Sequence, residues 1–176
     1  MDRITYQRIA GRAAELTAGV EMPPVPIEEL VRSAGAEIVF EPFDLRVSGM
    51  ASRRNGRRVI GVNCAHSYPR QRFTIAHELC HLEFHDDTDL RVDGEVVVVG
   101  HRNPDEPRSP RERQANLFAA ELLMPDHLIK RDLDIANAMP LELAIKKLAV
   151  RYAVSASAMA VRLRDYVDFL MEPRTR

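Results

Sequence analysis

Apolar residues recur along this chain with two alternating periods, and the changes of period mark its elements. Residues 3–18 set Ile4, Ile9, Ala13 and Leu16 at helical spacing. The run MPPVP breaks that helix, and Pro26 opens a short one, PIEELVRSAG, with Gly35 as its stop. AEIVFEPF reads as a strand. GMASRRNGRRVIGVN reads as a β-hairpin turning at Asn55-Gly56, the strongest short turn signal in the chain. Ser67 and Pro69 mark the start of a helix that runs to about His85. Residues 86–108 are polar and proline-rich around one strand-like run, GEVVVVG, and long loops of this kind often cover active sites. Ser109-Pro110 opens a second helix, RERQANLFAAELLM, which Pro125 ends. From Pro140 the pattern predicts two more helices, and no internal repeat interrupts the series.

The helix FTIAHELCHLEFH (73–85) carries the chemistry. His77 and His81 lie four apart, so they share one face and can turn two imidazoles to one ion. Glu78 is displaced by about 100° around the axis, where it can reach a water at that ion and take its proton. A single histidine on a helix is more often structural; a pair with an interposed glutamate points to a metal. Ile75, Leu79 and Leu82 form one apolar stripe, and Phe73, Cys80 and Phe84 a second. Thr74, His77, Glu78, His81 and His85 lie between them, with Arg72 and Glu83 on the remaining side, as for a site lining a cleft. His85 stands two turns beyond His77, roughly 12 Å along the axis. One ion cannot reach both, so His85 reads as a partner of the ligands or a helix end, and the third ligand must come from elsewhere.

Glu112 is one candidate. With Asn116 it forms an i, i+4 pair on an otherwise apolar helix, where a carboxylate needs a partner. Ser109-Pro-Arg-Glu112 also fits a capping box, and the spacing does not choose between ligand and cap. Glu121 faces the other way and is expected to be exposed. In the tail, LAIKKLAVRYAVSASAMAVRLRDY has the form of a helix-turn-helix with a turn at Ala153-Val154 and Ser155 as N-cap. Arg162 and Arg164 could contact DNA there. Ala158, Met159, Val161, Leu163 and Val167, opposed by Asp165 and Asp168, favour packing on the rest of the chain or gripping a protein. The arginines flanking the hairpin turn (Arg53, Arg54, Arg57, Arg58) read as a solvated tip, or as a docking patch for an acidic partner.

Bulk properties narrow the setting. The length, 176 residues, suits one domain or one domain with a small appendage. A formal net charge of −1 excludes a global basic field that would advertise nucleic acid. Two cysteines, Cys64 and Cys80, are too few for a disulfide framework. The start of the chain lacks a signal-peptide core, and no run is long enough to span a bilayer. The expectation is a cytoplasmic protein with no membrane partner.

RFTIAHELCHLEFH followed by ERQANLFAAELLMP resembles the ImmA/IrrE family of zinc metallopeptidases. The two motifs, their order and the LLMP ending carry the likeness; it extends weakly to VIGVN and over the helical tail. The resemblance implies an α+β, zincin-like fold of the gluzincin type: a small twisted β-sheet packed on the HExxH helix and a glutamate-bearing helix, with a helical tail. It implies Glu112 as third ligand, the first glutamate of an E-x-x-x-D/N pattern, with Asn116 supporting the ligands, and Glu78 as general base. It also implies a partner, a helix-turn-helix repressor of the Xre type, whose cleavage relieves repression of a mobile element or stress regulon. Cys80 departs from the family, which usually has glycine there. It reads as a small core side chain, or as a thiol near enough to approach the metal or respond to oxidants.

The expectation is therefore a zinc-dependent endopeptidase on a protein substrate, with residues 1–138 as the metallopeptidase domain and 139–176 as a helix-turn-helix-like subdomain. His77, His81 and Glu112 hold Zn2+, or another divalent ion such as Mn2+, and Glu78 activates water. His66, Tyr68, His101 and Arg113 are candidate oxyanion donors. Two rivals remain: a non-catalytic regulator that grips DNA or a repressor through its tail, and a toxin–antitoxin component.

Overall fold

A computed structural model describes residues 1–85, 91–94 (backbone only), 109–164 and 166. The first helix, α1 (Arg3–Thr17), is capped by Asp2, whose carboxylate accepts from Thr5 N at 2.9 Å. Ile9 and Ala13 are buried as their spacing requires, whereas Ile4 stays exposed in the first turn. Helix α2 (Ile27–Ser33) stops where Gly35 takes a left-handed φ of +77°.

Strands β1 (Glu37–Glu41), β2 (Val47–Arg54), β3 (Arg57–Asn63) and β4 (Arg91–Gly94) form a mixed sheet in the order β1-β3-β2-β4. The hairpin β2–β3 is antiparallel and turns through Asn55 and Gly56, at φ 52° and 76°, the two left-handed residues of a type I′ turn. β1 runs parallel to β3, and β4 antiparallel to β2. The strand expected at GEVVVVG lies outside the described residues except for Gly94, with which β4 ends.

Helix α3 (Tyr68–Phe84) lies between the sheet and α4 (Pro110–Leu123), and α1 packs on α4. From Arg72 to Leu82 every α3 residue is buried. This exceeds the two-flanked burial expected from the stripes, and Arg72 is included because its guanidinium donates to Val25 O at 2.8 Å. The sheet can approach this closely because β2 carries Gly49. A Cβ there would stand 2.4 Å from Thr74 Cγ2 and 2.7 Å from Gly61 O, so any side chain would push β2 off the helix.

Arg54 and Arg57 stay exposed at the hairpin tip, but Arg53 and Arg58 differ from both sequence readings. Arg53 donates to Leu82 O at the C-terminal end of α3. Arg58 donates to Ala34 O at 2.7 Å and to Glu83 Oε1 at 2.6 Å, and Arg12 meets the other Glu83 oxygen at 3.0 Å. Burial alone would raise the Glu83 carboxyl, but the hydrogen bonds from Arg58 and Arg12 outweigh it and hold the group below its usual range. The basic hairpin is thus a clamp on the end of the histidine-bearing helix, where cations also meet the negative end of the helix dipole.

After α4, Pro125 both stops one helix and starts the next, α5 (Asp126–Asn137), which the sequence reading left unassigned. Its buried Leu128, Ile129, Leu133 and Ala136 carry a helical period. Helices α6 (Leu141–Tyr152) and α7 (Ala156–Arg164) follow, joined through Ala153 at φ 51° with Ser155 Oγ accepting from Ala158 N. Asp132 on α5 accepts from Tyr152 Oη at 3.0 Å and Arg151 Nε at 2.7 Å, fastening α6.

Glu121 is not exposed as expected. It is buried and takes both Arg162 nitrogens, at 2.8 and 2.7 Å, while Arg162 Nε donates to Met124 O. Arg162 is thereby spent on anchoring α7 to α4 and does not face outward for DNA. Arg164 remains exposed.

Candidate metal centre

Helix α3 presents His77 and His81 one turn apart, with relative exposures of 1% and 0%. Their Nε2 atoms lie 3.2 Å from each other. Helix α4 brings Glu112 to the same point: Oε2 is 3.1 Å from His77 Nε2, and Oε1 is 3.5 Å from His81 Nε2. Among the described residues these three side chains form the group whose ligand atoms converge closely enough for one ion. The spacings fit the chemistry. Bonds of about 2.0–2.1 Å in a tetrahedral set place neighbouring donor atoms about 3.3 Å apart, and the observed separations bracket that edge.

Glu112 makes contacts on both its backbone and its side chain. Ser109 Oγ accepts from Glu112 N at 3.2 Å, so the backbone half of a capping box exists. The Glu112 carboxylate is turned onto the histidines. It sits in the first turn of α4, where the positive end of the helix dipole favours its charged form.

Each histidine's other nitrogen meets a partner. His77 Nδ1 lies 3.2 Å from Asn116 Oδ1, one turn beyond Glu112 on α4. The oxygen accepts, so the proton sits on Nδ1 and Nε2 presents a lone pair. His81 Nδ1 lies 2.8 Å from His85 Nδ1, and His85 Nε2 lies 2.9 Å from Gln114 Oε1. His85 caps α3 in an extended conformation and is not among the three side chains that converge. Gln114 was absent from the sequence reading; nothing in its local spacing distinguishes it.

Glu78, next to His77, is fully buried, and a Cβ at Gly49 would stand 3.6 Å from its Cγ. Among the candidate oxyanion donors, His66 is engaged with Leu45 O at 3.0 Å, and Tyr68 is exposed in the first turn of α3. Tyr68 precedes His77 by nine residues, about 13 Å along the helix, so the fold does not bring Tyr68 to the ligand cluster. Arg113 is exposed beside Glu112, and His101 lies outside the described residues. Cys80 is fully buried and is not part of the ligand cluster. Desolvation, with Glu112 and Glu83 adding to it, pushes its thiol far above the usual range, so it packs as a neutral core side chain. Cys64 is exposed, and neither cysteine is in a disulfide. No helix among the described residues is long and apolar enough to cross a membrane.

Comparison with known proteins identifies the family. Residues 31–164 match the family Peptidase_M78, the IrrE N-terminal-like domain. The chain is 33% identical over 131 residues to the radiation response metalloprotease IrrE of Deinococcus radiodurans. That match covers 74% of this chain but 37% of the relative, so the chain spans well under half of that protein's length.

Proposed function

The chain belongs to the IrrE N-terminal-like family of metallopeptidases, and from that premise we propose that it is a zinc-dependent endopeptidase. The observation that carries the proposal is the convergence of His77 Nε2, His81 Nε2 and a Glu112 oxygen at the edge lengths of a tetrahedral site. Two imidazoles and one carboxylate are a donor set suited to zinc, though such a set also takes other divalent ions. A divalent ion held there supplies Lewis acidity, polarising a peptide carbonyl and lowering the pKa of water to about 7.

The chain's own residues do the rest. His77, His81 and Glu112 fix the centre on two packed helices, so its geometry is set before substrate arrives. Glu78 is the general base: it takes the proton of the attacking water and returns it to the departing amine. Its burial keeps competing water away from that transfer. Asn116 orients His77. Residues 1–138 carry this chemistry, and Arg162 on α7 buttresses α4 by its pair with Glu121.

The proposed substrate is a helix-turn-helix repressor of the Xre type, cut in the cytoplasm to relieve repression of a stress or mobile-element regulon. The resemblance supports the substrate class. The Deinococcus relative, named for a radiation response, supports a stress-linked role. Replacing Glu78 by Gln tests the reaction. The variant should keep its full metal load while cleavage of a repressor encoded beside it falls about 10²–10⁴-fold. Undiminished cleavage overturns the mechanism.

A further inference from the structure

We infer that Gln114 and His85 are positioning residues for the ligand His81. The Gln114 side-chain oxygen holds the proton of His85 on Nε2, and His85 Nδ1 holds the proton of His81 on Nδ1, so His81 keeps its Nε2 lone pair for the ion. The inference rests on the metallopeptidase reading above and goes beyond its ligand set.

A neutral imidazole has one donor and one acceptor nitrogen. The Nδ1 atoms of His81 and His85 are 2.8 Å apart, so one proton lies between them and one ring must donate it. The pair alone does not say which. Gln114 decides. Its Oε1, 2.9 Å from His85 Nε2, can only accept, so the proton of His85 sits on Nε2 and its Nδ1 is a bare acceptor. His81 must then donate from Nδ1. The chain ends at His81 Nε2, which lies 3.2 Å from His77 Nε2 at the ligand cluster.

The ring of His85 is held close to that of His81. Along α3 the same four-residue spacing already sets the rings of His77 and His81 with centroids 5.0 Å apart. His85 keeps that spacing although its backbone leaves the helix at φ −122°, ψ 101°: its ring and that of His81 have centroids 4.8 Å apart. It is 5% exposed, which limits competition from water for the shared proton. Gln114 stands two residues after Glu112 on α4. One helix therefore delivers both the carboxylate ligand and the oxygen that sets the protonation of the opposite histidine. His77 is set by the same helix directly, through Asn116. Partners of this kind typically change metal affinity by about 10–100-fold when removed.

An amide is ambivalent, and this makes the idea testable. If Gln114 turned its nitrogen to His85, every proton would shift one step and His81 would carry its proton on Nε2, where it blocks the ion. A carboxylate cannot make that error, because it only accepts. Gln114→Glu should therefore bind zinc as tightly as the parent chain, whereas Gln114→Leu, of similar size but without an acceptor, should bind about tenfold more weakly.

The experiment uses the full 176-residue chain and Zn2+ as the probe. Affinity is read by chelator competition, and imidazole nitrogen shifts in the zinc-loaded protein report which nitrogen of His85 carries its proton. The expected result is Nε2–H on His85, weakened binding in Gln114→Leu and full binding in Gln114→Glu. His85→Ala, about 10–100-fold weaker, provides a second route should Gln114→Leu fold poorly. A proton on His85 Nδ1, or Leu and Glu variants that bind alike, overturns this inference while leaving the peptidase reading intact. A parent chain that binds no zinc overturns both.

Discussion

Two glutamates on α4, Glu112 and Glu121, meet opposite fates nine residues apart. Glu121 faces a single cation whose planar fork matches its two oxygens, and Arg162 closes over it in a buried, bidentate pair. The charges cancel within the pair, and no demand for an ion remains. Glu112 faces two imidazoles whose other nitrogens are committed to side-chain partners. Its side chain keeps 27% of its exposure. A carboxylate against two oriented lone pairs leaves a positive charge wanting. The same residue type on the same helix is an anchor in one place and a ligand candidate in the other. What differs is whether the opposing group brings a charge or a lone pair.

That contrast can be broken from either side. The largest effect is expected at Glu112. Changing it to Gln should weaken zinc binding by more than about 100-fold, beyond the loss from any orienting partner, as measured by chelator competition. The matching change Glu121→Gln should leave the metal load whole but cost about 3 kcal/mol of stability in urea unfolding, because Arg162 would stay buried with only Asp126, 3.8 Å away, as counter-charge. Replacing both members, Glu121→Leu with Arg162→Met, should recover most of that loss, since a buried ion pair and a packed apolar pair are often near equal. If Glu121→Gln emptied the metal site instead, the separation of the two roles would be wrong.

A smaller effect is expected at the clamp on α3. Arg58→Met removes a part-buried, charge-assisted contact to Glu83 and the bond to Ala34 O. It should cost about 1–2 kcal/mol, read as a lower urea midpoint. The smallest test concerns the thiols. Cys64 should react at once with a thiol reagent, and Cys80 only after unfolding, because burial shuts it off and keeps it protonated. Rapid labelling of both in the folded chain would contradict the packing of α3.

Much of this was legible in the residues. Asn55-Gly56 announced its hairpin, since few residue pairs tolerate two left-handed positions. The start of α3, the span of α4 and the turn at Ala153 followed from local signals. Helix α5 is less legible, because a proline both ends one helix and suits the start of the next, so Pro125 alone does not announce it. Glu121, Arg53 and Arg58 were misplaced for another reason. Each is a charged side chain, for which exposure is the default, and each is buried or half-buried because of a partner far away in the chain. Arg162 lies 41 residues beyond Glu121.

The pairing of His77 with His81 needed nothing but the sequence, because an α-helix advances and rotates by fixed amounts and four residues return to the same face. The same rule excluded His85 as a ligand of the same ion. It could not say what His85 does, since the answer depends on where the backbone leaves the helix and on an amide from α4. Nor could local spacing choose between cap and ligand for Glu112. Both readings use the same helix start, and they differ only in what stands opposite. Contacts within an element are set by local geometry, which sequence spacing encodes. Contacts between elements are set by how the sheet, α3 and α4 pack, and that packing brought one glutamate to two lone pairs and the other to an arginine.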